Sequence, residues 1–538
     1  MNFKTIHEII SHHASITPNK NAIYGLGQDP TTYNQLFQQT IKTSNFLRKI
    51  GIHRYDPVAI VLPNGPLMAT AFLSIASFTS SAPLNPSYTS SEYDFYLNDL
   101  KAKLVIVEEG STSPIIQVAS KLKIPVTFLQ KETPQHAGLF GFSISKKVLS
   151  QPTPNFAQKN DVGLILHTSG TTSRPKMVPL TQSNLCASAQ NIVQTLKLSS
   201  KDRCLNIMPL FHIHGLMAAV LSTILAGGSI FCTTGFYAPN FFDWLDEYKP
   251  TYYTAVPTMH QAILGRTKPD EAIINQSSLR FVRSSSSSLA PSVMSEIEKI
   301  FNVPVIEAYG MTEASHQIAS NPLPPGKRKP GSVGKPAGPE VAIMHEDSPE
   351  FLEEMEIGEI VIRGENVTLG YLNNEEANRK SFPKGWFRTG DQGYLDEDGY
   401  LFITGRIKEI INRGGEKISP REVDEALLLH PLVKQAVTFS IPDQRLGEDI
   451  GAAVILHNEE ISEKDLKLFL SKKLALHKIP RIILFLEEIP KGATGKMQRI
   501  GLAKKLGIVS GSCDKAPLHD MITQPKTITE SKIFNIWK

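Results

Sequence analysis

At 538 residues, with 41% hydrophobic and 20% charged residues, the chain has the composition of a globular protein too long for a single core. Its 56 basic and 52 acidic residues leave a net charge of +4, too small and too dispersed for a nucleic-acid or membrane-surface protein, so partners must be sought in sites. The four cysteines, Cys186, Cys204, Cys232 and Cys513, lack metal-ligand or CxxC spacing and are too few for a disulfide framework, which suits a reducing, cytoplasmic setting.

The opening MNFKTIHEIISHHASITP predicts an amphipathic helix without the apolar core of a signal peptide. Helical patterns over 33–49, 67–77 and 91–100 alternate with apolar strands over 58–61 and 104–107, which argues for a parallel sheet covered on both faces. The stretch DVGLILHTSGTTSRPKMVPL, residues 161–180, organises the rest. Its apolar run reads as a buried strand that empties into Thr168, Ser169, Gly170, Thr171, Thr172 and Ser173, then Arg174 and Lys176. Glycine lets the backbone approach an anion, hydroxyls and loop amides donate to its oxygens, and two cations supply charge, so the stretch reads as a phosphate grip. No glycine precedes Lys176, and Pro175 and Pro179 stop a helix from starting directly, so a hairpin is expected rather than a Walker A loop.

Ser183 or Asn184 is expected to cap the next helix. In NIMPLFHIHGLMAAV, His212 and His214 are expected at a strand end, on one face only if the backbone stays extended. The uncharged GLMAAVLSTILAGGSIF is short of the ~20 apolar residues a membrane span needs and predicts a buried helix running into a strand. Apolar strands over 279–282 and 303–306 end in the five serines Ser284, Ser285, Ser286, Ser287 and Ser288, and in EAYGMTEASH. Ligands of open parallel sheets collect beyond such carboxyl ends. Pro- and Gly-rich turns with alternating strands between 321 and 391 suggest a smaller β-rich subdomain. Beyond residue 408, a helix at 420–429, strands at 434–441 and 451–456, a helix at 463–474 and a strand at 482–486 make a compact α+β unit.

Six motifs in this order resemble the adenylate-forming superfamily of acyl-CoA synthetases, luciferases and adenylation domains of peptide synthetases, over nearly all of residues 5–505. The resemblance implies an α/β fold: a large N-terminal domain of layered, mostly parallel sheets plus a β-rich subdomain (1–407), and a small mobile α+β C-terminal domain (408–506). It implies ATP, Mg²⁺ and CoA or phosphopantetheine as reactants and cofactors, and no protein nucleophile. Thr168 to Thr172, Lys176, Ser286, Ser287, Glu307, Ala308, Tyr309, Gly310, Thr312, Asp391 and Arg406 would then line the nucleotide. Within that set, Tyr309 would stack on adenine, Thr312 contact the α-phosphate, Asp391 take the ribose hydroxyls and Glu313 hold the metal. His212, His214, Ser284, Ser285 and His316 would line the acyl pocket, and Gly414, Gly415 and Glu416 the pantetheine channel. Lys408 would be the hinge and Lys496, in PKGATGKMQR, the lysine that serves adenylation; with Thr312, Glu313 and His212 it makes the expected catalytic set.

Within the superfamily, TAVPTMHQAIL, LRFVRSSSSSLAP, EAYGMTEASHQIASNPLP and GRIKEIINRGGEKISPREVDE read like oxalyl-CoA synthetases, which implies a small acid such as oxalate. The unbroken serine run departs from those relatives, which tend to carry a cysteine or alanine within it. A fatty acyl-CoA or acyl-carrier ligase on the same fold, and a non-catalytic nucleotide-binding scaffold, are the competing readings. Beyond residue 506 the chain has linker composition, and ITESKIFNIWK then reads as an amphipathic helix that either docks back on the body or, as its resemblance to the first helix of a phosphopantetheine carrier domain implies, starts such a domain and makes a tethered thiol a partner beside free CoA.

Overall fold

The structure is a computed structural model that describes residues 3–131, 136–143, 155–168, 175–266, 271–457, 460–490 and 499–508. The chain divides into two compact units, Met1–Ile410 with Glu488–Gln498, and Ile411–Glu487 with Arg499–Lys538.

In the first unit, local sequence sets where helices start. Thr32 accepts the Gln35 backbone N–H and donates its own N–H to the Gln35 side chain, so the helix Tyr33–Lys49 begins at a capping box. The cap expected at Ser183 or Asn184 is instead Thr181. As the last residue of the strand Lys176–Thr181 it is extended, and its side chain turns back over the first turn of Gln182–Thr195, where Asn184 completes the box.

Two large sheets carry this unit. Among the described residues one has seven strands, with Pro57–Val61, Ser80–Pro83, Leu104–Glu108, Val126–Lys131 and Val162–Thr168 parallel, and Phe140–Ser143 and Lys176–Thr181 antiparallel at its edges. The other has nine, centred on the parallel strands Val305–Met311, Phe281–Ser285, Tyr252–Ala255, Arg203–Asn206, Ser229–Cys232 and Asn21–Gly25. One apolar cluster runs from Ile60 and Ile106 through Leu73 and Leu185 to Tyr252 and Phe281, filling the space between the sheets. Val282 and Tyr253 face a second cluster with Trp244 and Ile297, and Val105 and Ile165 a third with Tyr93 and Leu97. Each sheet is therefore buried on both faces, which is why its strands read as continuous apolar runs. A four-stranded antiparallel sheet, Glu340–Met344, Gly358–Arg363, Phe387–Leu395 and Leu401–Arg406, forms the β-rich subdomain.

Two central strands run further than the apolar residues 279–282 and 303–306 suggest. Phe281–Ser285 and Val305–Met311 stay paired through Ser284 opposite Glu307 and Ser285 opposite Ala308, so the ladder satisfies the backbone of buried polar residues. The apolar stretch 215–231 is a buried π-helical segment His214–Leu221, a turn of α-helix Ser222–Leu225 and the strand Ser229–Cys232. Among the described residues no helix is long and apolar enough to cross a membrane.

In the second unit, Val433–Asp443 and Gly447–Leu456 pair antiparallel and Ile482–Phe485 joins the latter in parallel. Helices Pro420–Leu428 and Glu463–Ser471 bury Val423, Leu427, Leu466 and Leu470 with Ile450 and Val454. The strands Ile411–Arg413 and Glu416–Ile418 meet through Gly414 and Gly415, both at positive φ (59° and 96°), the two-residue turn that β-carbons disfavour. Lys496 and the tail 509–538, with its carrier-like segment, lie outside the described residues.

Candidate active site

Val162–Thr168 and Lys176–Thr181 pair antiparallel with Thr168 opposite Lys176, so the phosphate-grip loop leaves and returns at one point. Its Ser169, Gly170, Thr171 and Thr172 lie outside the described residues. The Lys176 ammonium stands 4.3 Å from the centre of the Tyr371 ring, whose hydroxyl donates to Glu313 Oε1 at 3.0 Å. Thr368 fastens this corner: its N–H donates to the Glu313 carbonyl at 2.7 Å and its hydroxyl to the Pro179 carbonyl at 2.7 Å. Burial raises the Glu313 carboxyl above the usual range, outweighing the nearby Arg406 and Lys176 charges, and burial lowers the Lys176 ammonium.

Asp391 and Arg406 are register partners on adjacent antiparallel strands. Arg406 Nε donates to Asp391 Oδ1 at 2.9 Å and the Tyr309 hydroxyl donates to Oδ2. The Asp391 charge raises the Arg406 guanidinium, while burial and then Asp391 raise the Tyr309 phenol. A carboxylate has lone pairs beyond these two bonds, so Asp391 can still accept ribose hydroxyls. Lys176, Tyr309, Glu313, Asp391 and Arg406 thus come from separate stretches into one cluster. Half-buried Thr312 opens the short 3₁₀ turn Thr312–Ala314 that carries Glu313.

A second cluster lies over the carboxyl ends of the parallel strands. His214, fully buried, contacts Ser286 Oγ through Nδ1 at 3.0 Å and Thr254 Oγ1 through Nε2 at 2.6 Å. The His316 ring lies 5.0 Å from it, centre to centre. His212 and His214 do not share an extended face: His214 opens the π-helical segment, and its N–H donates to His212 Nδ1 at 3.3 Å. His316 is buried at a φ of 99°, immediately after Ser315 at 49°. Such backbone persists only where the surroundings over-determine it, and functional sites are where it collects. The surroundings here are tight. A β-carbon on Gly310 would fall 1.6 Å from the His316 carbonyl oxygen, so only glycine lets the two strands close at this point. Gly310→Ala is therefore expected to cost more than about 2 kcal/mol and to lower the first thermal transition by several degrees. An unchanged transition would mean that the turn opens freely.

Not every residue expected at the site is free to act there. Ser285 donates to the Ala308 carbonyl at 2.9 Å and Glu307 Oε1 accepts the Leu289 N–H at 3.0 Å, so this pair braces the serine loop. Ser284 is fully buried, Ser287 is exposed, and Ser286, at a φ of 73°, is the serine that reaches His214. Lys408, exposed, lies two residues before the division between the units, whereas Gly414, Gly415 and Glu416 belong to the second unit. Sequence reading missed Tyr371 and Thr254 as site residues. Thr254 sits at the carboxyl end of a parallel strand, the position that could have flagged it; Tyr371 lies in a loop with no such signal.

The donors suit Mg²⁺. Besides Asp391, which Arg406 and Tyr309 engage, the site presents one further buried, hard carboxylate, Glu313, and among the described residues no cluster of three His, Cys, Asp or Glu could hold a metal unaided. Mg²⁺ is commonly held by one or two carboxylates together with substrate phosphates, which is what a single carboxylate beside a phosphate loop provides.

Residues 10–372 match the family model for AMP-binding enzyme, and residues 422–496 the AMP-binding enzyme C-terminal domain. The chain is 43% identical over 507 residues to an oxalate–CoA ligase of Arabidopsis thaliana, covering 93% of this chain and 98% of that protein. It is 42% identical to an oxalate–CoA ligase of Saccharomyces cerevisiae, covering 91% and 95%. Among solved structures, ATP-bound MatB from Rhodopseudomonas palustris superposes with a TM-score of 0.83 at 26% identity, covering 94% of this chain and 99% of that one. The o-succinylbenzoate CoA synthetase MenE from Bacillus subtilis, in complex with its acyl-adenylate intermediate, gives 0.77 at 27% identity, covering 95% and 99%. Matched over far more than half its length by the family model, the chain belongs to the AMP-binding enzyme family.

Proposed function

We propose that this chain is an AMP-forming acid–CoA ligase whose acid is oxalate. A carboxylate attacks the α-phosphorus of ATP to give acyl-AMP and pyrophosphate, and the thiol of CoA then displaces AMP to give the thioester. The observation that carries the substrate is the polar cluster at the strand ends: His214, Ser286, Thr254 and His316 are polar, and all but the half-buried Ser286 are buried. Such a cluster suits an acid that is polar at both ends and wastes its hydrogen bonds on a hydrocarbon tail. The oxalate–CoA ligases among the relatives support the same acid.

Joining two anions is opposed by charge repulsion, and the first cluster supplies the remedy. Lys176 and Arg406 bring positive charge, the loop from Thr168 to Lys176 steadies the departing pyrophosphate, and Tyr309 and Asp391 hold adenine and ribose. Glu313 would hold Mg²⁺, which when bound neutralises phosphate charge as a Lewis acid. Gly414, Gly415 and Glu416 are assigned to the pantetheine arm on their motif. The compartment proposed is the cytosol, on the buried, unpaired Cys186, Cys204 and Cys232.

Pyrophosphate exchange over oxalate, malonate, acetate and palmitate tests this reading. Oxalate is expected to give the highest kcat/KM, and exchange with palmitate but none with oxalate would overturn the substrate in favour of a fatty acyl ligase. No exchange with any acid would leave a nucleotide-binding scaffold.

A further inference from the structure

Three separate stretches of the chain meet at the buried side chain of Tyr371. The Lys176 ammonium stands over its ring, 4.3 Å from the centre, and its hydroxyl donates to Glu313 Oε1 at 3.0 Å. A buried tyrosine needs an acceptor for its hydroxyl, and a backbone carbonyl would serve. Here the acceptor is instead the carboxylate that suits the metal, and the ring carries the cation at the return of the phosphate loop. One side chain therefore engages two opposite charges of the site. Lys176 and Glu313 act on each other's charge through space, and among the described residues no hydrogen bond or ion pair joins them. Were they to close on each other in this partly dry setting, each would neutralise the other and neither would be offered to ligand.

The backbone around Tyr371 fixes the arrangement. Its N–H donates to Asn378 Oδ1 at 2.7 Å and the Asn378 side-chain amide donates to its carbonyl at 2.9 Å, which ties the tyrosine to the helix Glu375–Ser381. The N–H of Leu372 donates to the Met177 carbonyl at 3.1 Å, one residue along from Lys176. Thr368 bonds the Glu313 carbonyl with its N–H and the Pro179 carbonyl with its hydroxyl. The loop is thus stitched to both elements whose charges its tyrosine engages. Resting on the reading of Glu313 as the Mg²⁺ ligand and Lys176 as a phosphate cation, we infer that Tyr371 is a positioning residue that keeps these two charges apart. Its ring holds the ammonium ready for the nucleotide phosphates, and its hydroxyl orients the carboxylate for the metal. Partners that orient a ligating carboxylate add to metal affinity, while a cation on an aromatic face is held weakly enough to be given up to phosphate.

Binding, which needs no acid, tests this. The probes are Mn²⁺ in place of Mg²⁺, read by electron paramagnetic resonance, and α,β-methylene-ATP, whose α–β bridge does not cleave, read by calorimetry. Tyr371→Phe removes one oxygen and keeps the ring. It is expected to weaken Mn²⁺ binding in the presence of the analogue by about 10-fold, with less than about threefold change in the Kd of the metal-free analogue. Tyr371→Met removes the ring as well and is expected to weaken the metal-free analogue by about 3- to 10-fold. In a Lys176→Met background the same replacement is expected to cost less than about twofold further, because the cation it served is gone. Wild-type Mn²⁺ affinity in Tyr371→Phe, equal losses of metal and nucleotide in that variant, or a Tyr371→Met loss that adds fully to that of Lys176→Met would overturn the inference. If Tyr371→Met does not fold, the split between metal and nucleotide in Tyr371→Phe decides the matter alone. Glu313→Gln is the control: unchanged Mn²⁺ affinity in that variant would overturn the metal reading itself, and this inference with it.

Discussion

Lys496→Ala is expected to lower acyl-adenylate formation by ~10³-fold while leaving thioester formation from supplied acyl-adenylate within a few-fold of wild type. The lysine sits between Gly495 and Met497 in a motif that matches the adenylation lysine of the family. Its cation would meet the charge that develops between the attacking carboxylate and the α-phosphate, which exists only in the first transition state. By the second step that charge has left with pyrophosphate, so nothing remains for the lysine to stabilise. Pyrophosphate exchange reads the first half-reaction, and CoA-dependent release of AMP from synthetic oxalyl-adenylate reads the second. If both rates fell together, the lysine would be serving the fold or both steps, and its assignment to adenylation would be wrong.

How legible this site was depends on whether each residue's position is set locally or by tertiary register. Lys176, Tyr309, Glu313, Asp391 and Arg406, which the structure gathers into one cluster, lie in short contiguous motifs, because a turn or strand end constrains its immediate neighbours. The helix Tyr33–Lys49 was legible for the same reason, its start and periodicity both being local. Strand ends were harder. The runs at 279–282 and 303–306 stop where apolar residues stop, yet the parallel ladder continues to Ser285 and Ala308, and the antiparallel pairing with His316–Ser320 carries on to Met311, because neighbouring strands supply the hydrogen bonds. That shift is what places Ser286, rather than Ser284 or Ser285, against His214. Tyr371 was invisible for a different reason: it reaches Glu313 from a loop 58 residues away, and only folding brings the two together.

The largest effect within the described site is expected at Glu313. Glu313→Gln keeps the acceptor for the Tyr371 hydroxyl and the shape of the turn but removes the negative charge that Glu313 offers to a cation. Adenylation is expected to fall by ~10²- to 10³-fold, with a higher Mg²⁺ concentration needed for half-maximal rate. Stability should move the opposite way. In the free protein, Glu313 is a buried carboxylate whose desolvation outweighs the attraction of Arg406 and Lys176. Replacing it with a neutral amide of equal size removes a cost that the fold bears until ligand arrives. The variant without nucleotide is therefore expected to melt at a higher temperature than the wild type at pH 7.5, and to gain less from added Mg-ATP. A slower variant that melts lower in the absence of ligand would place Glu313 among the residues that hold the fold together. A variant of unchanged rate and Mg²⁺ requirement would remove it from the metal site altogether. The outcome that fits the geometry is a carboxylate kept at the expense of stability because the adenylation step needs its charge.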